Sequence, residues 1–483
     1  MSSPLVPFSP RVYAPRRVRL AADLVAAGES GLALIPGNPS APMNYAGNHY
    51  GFRQDGTFRY FFGLNQPGHV GVVDLDAGTA TLYGPEASLD DVVWEGPQPS
   101  LAERAQAIGA QAAKPLADLG PDVLAAIDAG RPVHIVPPYR AATKQHLAGL
   151  LGTLPDTLGG HVSEPLIHAI VAQRSVKSDA EVAEIERALA VTNAMHRLAM
   201  RHAKPGTAEW ETAGWMRGAA LAGGGDVSFP IILTARGETL HNHPTGTPLK
   251  RGDLVLADAG AVAPSGYAAD ITRTFPANGV FSEPQRLIYQ AVLDAQTAAL
   301  DAIAPGVPFR DVHLVAARRL AQALTALGLM RGDPEQAVAA GAHALFFPHG
   351  LGHMMGLDVH DMEALGEDHV GYDAEVTRST QFGLSALRLG RRLQPGFVVT
   401  VEPGCYFIPA LVQAWKAEGK HAAFLDYTEI ERFLTMNEGR GFGGVRIEDD
   451  VLVTDDGMRV LGPAIPKTVA EVEAVCAEMS GGL

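Results

Sequence analysis

Cysteine is almost absent from this chain: Cys405 and Cys476 are the only two in 483 residues. Two thiols cannot build a disulfide framework, and no CxxC pair exists for a thiolate zinc site or a redox dithiol. The scarcity fits a reducing compartment. Long apolar runs are missing as well. No stretch of about 18 uninterrupted apolar residues occurs, so no membrane-spanning helix is expected. The opening Met1-Ser2-Ser3-Pro4 lacks the basic-then-apolar pattern of a secretory signal, and a cytoplasmic location is expected. Positive charge is in deficit. The 38 Lys and Arg face 53 Asp and Glu, a formal charge of -15, which argues against nucleic acid or an anionic membrane as partner. No glycine cluster has the strand–GxGxxG–helix context, so no nucleotide loop is expected.

What is present is globular: 47% hydrophobic residues with 53 Gly and 34 Pro. The length predicts two domains. Residues 1–170 read as an α/β domain. It has a helix over Arg17–Ala27, a strand over Gly31–Ile35, and an aromatic strand or turn over Thr57–Gly63. A hairpin follows around Asp76-Ala77-Gly78, then a strand over Val133–Val136. Ile167–Lys177 reads as the link to a second domain, residues 171–483. That domain opens with the capping box Ser178-Asp179-Ala180-Glu181 and a helix to about Ala203. Helices over Glu209–Leu221, Ser282–Ala304 and Phe309–Leu327 follow, with a strand over Phe229–Leu233. Strands over Phe397–Val401, Val445–Ile447 and Val451–Thr454 precede a last helix, Val469–Met479.

The chemistry centres on a hairpin. Leu254–Gly260 and Tyr267–Phe275 read as strands joined by a turn at Pro264-Ser265-Gly266. Each strand carries one aspartate, Asp258 and Asp270, among apolar neighbours. A buried carboxylate costs several kcal/mol unless its charge is compensated. The pair reads either as half of a metal site or as caps at strand ends. Three further stretches offer ligands. In Pro348–Asp361 the glycines spoil a helix and no HExxH glutamate is present, so His349, His353 and His360 are expected on a loop or strand. Glu402 ends the β-branched run Val398–Val401. Alternation puts Arg446, Glu448 and Asp450 on one strand face, with Arg446 able to orient Glu448. Taken singly, each of these also reads as a surface or structural group.

Together they give four carboxylates and one imidazole: Asp258, Asp270, His353, Glu402 and Glu448. That set exceeds the needs of one ion. Bridging carboxylates would hold two divalent ions about 3.5–4 Å apart, activating water and polarising a carbonyl. Oxygen-rich ligation favours Mn²⁺ over a thiolate-type zinc site, with Co²⁺ or Zn²⁺ as alternatives.

The order and contexts of these residues resemble the pita-bread metallopeptidases. The contexts are Ala257-Asp258-Ala259-Gly260, Asp270-Ile271-Thr272-Arg273-Thr274, His349-Gly350-Leu351-Gly352-His353, Thr400-Val401-Glu402-Pro403-Gly404 and Arg446-Ile447-Glu448-Asp449. Within that family they resemble the aminopeptidase P and prolidase branch. The resemblance implies an α/β N-terminal domain followed by an α+β pita-bread catalytic domain. It implies that Asp258, Asp270, His353, Glu402 and Glu448 bind two divalent ions, with Glu402 also serving as general base. His241, His349, His360, Arg388 and Arg446 would form the substrate site, His360 also shuttling a proton. Trp94 matches a tryptophan that reaches a neighbouring subunit's active site in relatives, which implies a homodimer.

The tract Ser385-Ala386-Leu387-Arg388-Leu389-Gly390-Arg391-Arg392 resembles the prolidases in particular. Arg388 matches the arginine that they use on the substrate's C-terminal carboxylate, which favours a dipeptide substrate. The function implied is a Xaa-Pro dipeptidase acting on small peptides. The alternative is a Xaa-Pro aminopeptidase acting on longer ones; a non-catalytic pita-bread binding protein is a third reading. Three departures from the family pattern stand out. Asp258 and Asp270 are twelve apart, one more than usual, which lengthens the hairpin turn. Phe229 stands where relatives carry a tyrosine. His243 adds an imidazole beside His241.

Overall fold

The computed structural model describes residues 5–478. These fall into two compact units: residues up to Arg174 together with Met362–Val370, and Ser175–Asp361 together with Gly371 onward.

The first unit is built on a five-stranded mixed sheet. Its strands run in the order Ala112–Pro115, Thr79–Gly84, Val70–Asp74, Leu32–Pro36, Val133–His134. The two outer pairings are parallel and the inner ones antiparallel. Leu34, Val72, Ile135, Val123 and Leu147 pack into one core from the sheet and its covering helices. The helix expected from Arg17 begins at Pro10 and passes through Pro15. The aromatic run expected as strand or turn is a helix, Gly56–Phe62. Asp55 caps it by accepting from the Phe58 backbone N–H at 2.9 Å. Phe58 and Phe62, one turn apart, stack at 5.3 Å. A helical period was hidden in a composition that favours strands. The segment expected as a link carries the helix Glu164–Ser175.

The second unit repeats one set of parts. Helices Asp179–His202 and Glu209–Ala222 pack together. They precede an antiparallel sheet in the order Thr272–Pro276, Leu254–Asp258, Ile232–Thr234. Helices Glu283–Asp301 and Phe309–Ala326 then pack together. A second three-stranded antiparallel sheet follows: Val398–Val401, Asp449–Val453, Met458–Val460. The first helix starts at the expected capping box, with the Ser178 N–H donating to Glu181 at 2.9 Å. The strand expected from Phe229 begins at Ile232 instead; Pro230 has no N–H for a ladder. The last helix ends at Ala477, and Met479 lies outside the described residues. Among the described residues no helix is long and apolar enough to cross a membrane.

Candidate active site

The hairpin places both aspartates on one face. Asp258 pairs with Thr272, and the ladder continues through Ala259–Ile271 and Ala261–Ala269 to a bridge at Val262–Ala268. The register is unbroken, so Gly260 lies opposite Asp270. Residues directly opposite share a face, as do residues two apart. Asp258, Thr272, Gly260 and Asp270 therefore point the same way. The extra residue is taken up in the turn between Ala263 and Tyr267 and leaves the register intact. Gly260 is required here: a Cβ would collide with the Ala269 carbonyl and the Ser228 hydroxyl.

His353 and Glu402 arrive on a second ladder. Thr400 N–H donates to the His353 carbonyl at 3.0 Å, and Glu402 N–H to the Leu351 carbonyl at 2.8 Å. The His353 segment is extended, as expected from its glycines. Its Nδ1–H donates to the Met354 carbonyl at 3.1 Å. That leaves Nε2 facing Asp270 at 3.5 Å and Glu402 at 3.6 Å.

Glu448 comes from the break between strands Gly444–Arg446 and Asp449–Val453. The Thr272 hydroxyl donates to it at 2.6 Å. Arg446 does not hold Glu448, as the alternation suggested. Its guanidinium donates to Asp258 at 2.5 Å, to the Tyr406 hydroxyl at 2.9 Å and to the Thr272 hydroxyl at 3.0 Å. The two side chains meet only through the Thr272 hydroxyl, which accepts from Arg446 and donates to Glu448, because Asp258 and Tyr406 take the rest of the guanidinium. Asp450 accepts from the Asp270 backbone N–H at 3.1 Å.

This cluster needs a cation. Asp270, His353 and Glu448 each offer a ligand atom, all within 4.8 Å of one another. One oxygen of Asp258 and one of Asp270 are buried without a hydrogen-bond partner. Burial, then the charges of Asp258 and Asp450, raise the Asp270 carboxyl well above the usual carboxylate range. Burial, then Asp270 and Glu402, do the same to Glu448. Burial also raises Glu402, with His353 and Arg446 opposing. Asp450 is pushed up to about 8, chiefly by burial. Buried carboxylates aimed at each other with unused lone pairs fit divalent metal, which reverses this electrostatic cost.

The expected substrate residues occupy distinct surroundings. His349 donates through Nδ1 to the Gly350 carbonyl at 2.8 Å, and its Nε2 accepts from Tyr406 at 2.8 Å. Burial, then Arg446, depress it to about 3, so this imidazole is neutral at working pH. The His360 ring lies against His353, centroids 4.0 Å apart. His241 is exposed on the segment after strand Ile232–Thr234. Its pKa is lowered by partial burial and by Arg446, with Arg388 and His243 adding to the effect. Arg388 is half-buried, and its charge acts on both His241 and Glu402. Trp94 belongs to the N-terminal unit, 84% exposed on the helix Leu89–Glu95.

Three contributors were not foreseen: Thr272, Thr400 and Tyr406. Thr400 donates to Glu402 at 3.4 Å and accepts from the His353 N–H at 3.1 Å. Tyr406 links Arg446 to His349, and Phe229 packs against the Ile232, Leu256 and Tyr406 cluster. Strand alternation from Asp270 through Thr272 was the available signal for the first; nothing local marked Tyr406.

The two-unit fold and the buried Asp/His/Glu cluster define a metal-dependent hydrolase. Comparison with known proteins gives the particular family. Residues 183–455 match metallopeptidase family M24, and residues 13–134 match the aminopeptidase P N-terminal domain. The chain is 34% identical to the Xaa-Pro dipeptidase of Homo sapiens, covering 88% of this chain and 84% of that one. It is 31% identical to a probable Xaa-Pro aminopeptidase of Fusarium vanettenii, covering 88% and 87%. Among solved structures it is similar to Pseudomonas aeruginosa aminopeptidase PepP, with TM-score 0.77, 30% identity, and 97% and 98% coverage. An Escherichia coli aminopeptidase P variant in complex with substrate gives TM-score 0.77 at 28% identity, with 97% and 98% coverage. The chain belongs to metallopeptidase family M24.

Proposed function

We propose that this protein is a Xaa-Pro dipeptidase that hydrolyses the imide bond before a C-terminal proline. The observation that carries the reading is the half-buried Arg388, whose charge bears on both His241 and Glu402. A half-buried guanidinium whose charge reaches the general-base candidate suits a substrate whose carboxylate lies one residue past the cleaved bond. Similarity to the human Xaa-Pro dipeptidase over 88% of the chain supports it.

Asp258, Asp270, His353, Glu402 and Glu448 would hold two divalent ions, Mn²⁺ by ligand hardness. The ions would polarise the scissile carbonyl and acidify a water. The chain's own groups do the rest. Arg388 and His241 bind the proline carboxylate and fix the register of the dipeptide. His349, neutral and held by Tyr406, lies beside the proline ring. Arg446 keeps Asp258 oriented within the pocket wall. Glu402 takes a proton from the attacking water and delivers it to the departing imide nitrogen. His360 hydrogen-bonds the scissile carbonyl oxygen or relays that proton. A homodimer in which Trp94 completes the partner's site fits the exposure of its helix.

A second reading, aminopeptidase P, is favoured by the 97% coverage against solved aminopeptidase P structures. A length series decides between them. Ala-Pro, Ala-Pro-Ala and longer peptides are assayed with Mn²⁺, Co²⁺ and Zn²⁺ in turn. The dipeptidase releases free proline from Ala-Pro and leaves longer peptides nearly intact. Comparable turnover along the series establishes the aminopeptidase.

A further inference from the structure

We infer that the buried ion pair Lys177–Asp361 holds His360 in place over His353, and that both residues are positioning residues for the hydrolysis. The inference rests on the proposed role of His360 at the scissile bond.

His360 and Met362 have φ of 55° and 68°. Non-glycine residues in this left-handed region are strained, and such strain persists only where the surroundings over-determine it. Asp361, between them, supplies those constraints. Its backbone N–H donates to the Met354 carbonyl at 2.9 Å. One carboxylate oxygen accepts from the Asp358 N–H at 3.3 Å. The other meets the Lys177 ammonium at 3.1 Å, and both side chains are 1% exposed. Gly356 leaves room for the carboxylate; a Cβ there would collide with it. Lys177 is itself anchored, its N–H donating to the Gly396 carbonyl at 2.8 Å.

The backbone at 361 is thereby pinned on three sides, and His360 is set one residue from the pin. Its ring stays 4.0 Å from that of His353, a geometry that a free loop would not hold. A buried ion pair is weak support for stability, because apolar residues of similar volume often serve as well. Its value here is directional. The carboxylate fixes one backbone conformation where an apolar contact would allow several.

The test compares Asp361→Asn, the charge-free double variant K177M/D361L, His360→Ala, and Asp361→Asn combined with His360→Ala. Each is measured for kcat and KM on Ala-Pro with Mn²⁺, for bound metal and for thermal unfolding. His360→Ala should lower kcat by about 100-fold or more. Asp361→Asn and K177M/D361L should each lower kcat by at least about 10-fold, with KM within about 3-fold and metal content unchanged. Placed on His360→Ala, Asp361→Asn should change kcat by less than about 2-fold, because it acts only through that imidazole. If Asp361→Asn does not fold, K177M/D361L carries the test. A folded K177M/D361L with ordinary kcat overturns the inference, as does an undiminished Asp361→Asn effect on His360→Ala. If His360→Ala itself leaves kcat unchanged, the proposed role of His360 fails first, and this inference with it.

Discussion

Replacing Thr272 by valine tests the wiring of the cluster with little change of shape. The hydroxyl is fully buried. It accepts from Arg446 at 3.0 Å and donates to Glu448 at 2.6 Å. Valine keeps the β-branched form that suits the strand and removes only this relay. Glu448 then loses a donor and Arg446 an acceptor, both charged and both buried. A hydrogen bond to a charged group contributes about 1.5–3 kcal/mol. Lost from the metal-bound state, that corresponds to about 10–100-fold in metal affinity. The assay is titration calorimetry with Mn²⁺ on metal-stripped protein, with Thr272→Ser as the control that restores the hydroxyl. Affinity unchanged within about 3-fold in a folded Thr272→Val protein would refute the claim that Thr272 orients Glu448 for metal.

Other outcomes follow from the same geometry. Stripping metal should make stability fall with pH. The folded pKa values of Asp270, Glu402, Glu448 and Asp450 are raised. Their contribution is therefore full below the ordinary carboxylate value of about 4 and is lost as pH rises through the folded values, about 8 for Asp450. The gap in melting temperature between Mn²⁺-loaded and stripped protein should widen over that window; a gap that narrows contradicts it. Gly260→Ala drives a methyl into the Ala269 carbonyl and should cost at least about 3 kcal/mol, the upper end for overpacking, read by denaturant unfolding. Tyr406→Phe removes the hydroxyl between Arg446 and His349. It should destabilise the protein by about 1.5–3 kcal/mol and raise KM for Ala-Pro; unchanged melting and KM would show that the phenol carries no load.

Much of the site was legible in the sequence because strand alternation is strict. Asp258 and Asp270 were readable as carboxylates on the two strands of a hairpin, and the observed register, with Asp258 opposite Thr272, sets them on one face. Glu402 and the extended His353 segment were readable from β-branched residues and glycines. What could not be read is pairing between distant strands. Gly404 pairs with Arg446, which sets Tyr406 near Arg446, and the Arg446 N–H donates to the Thr274 hydroxyl, which sets Arg446 against the strand pair that carries Asp258, 188 residues away. No local pattern encodes that contact, so Arg446 was expected on Glu448. The helix Gly56–Phe62 was hidden for a different reason. Its aromatic residues favour strands, and the Asp55 cap together with Phe58–Phe62 stacking overrides that preference.

Arg388 is expected to select a substrate ending in proline carboxylate. The most direct measurement is kcat/KM for Ala-Pro and for Ala-Pro-Ala, with Mn²⁺, in the parent protein and in Arg388→Ala. The parent should strongly prefer Ala-Pro. In Arg388→Ala, turnover of Ala-Pro should fall by about 10–100-fold, the loss of one bidentate charged contact, while Ala-Pro-Ala changes little. Equal turnover of the two peptides in the parent, or a preference unaltered by Arg388→Ala, would contradict it.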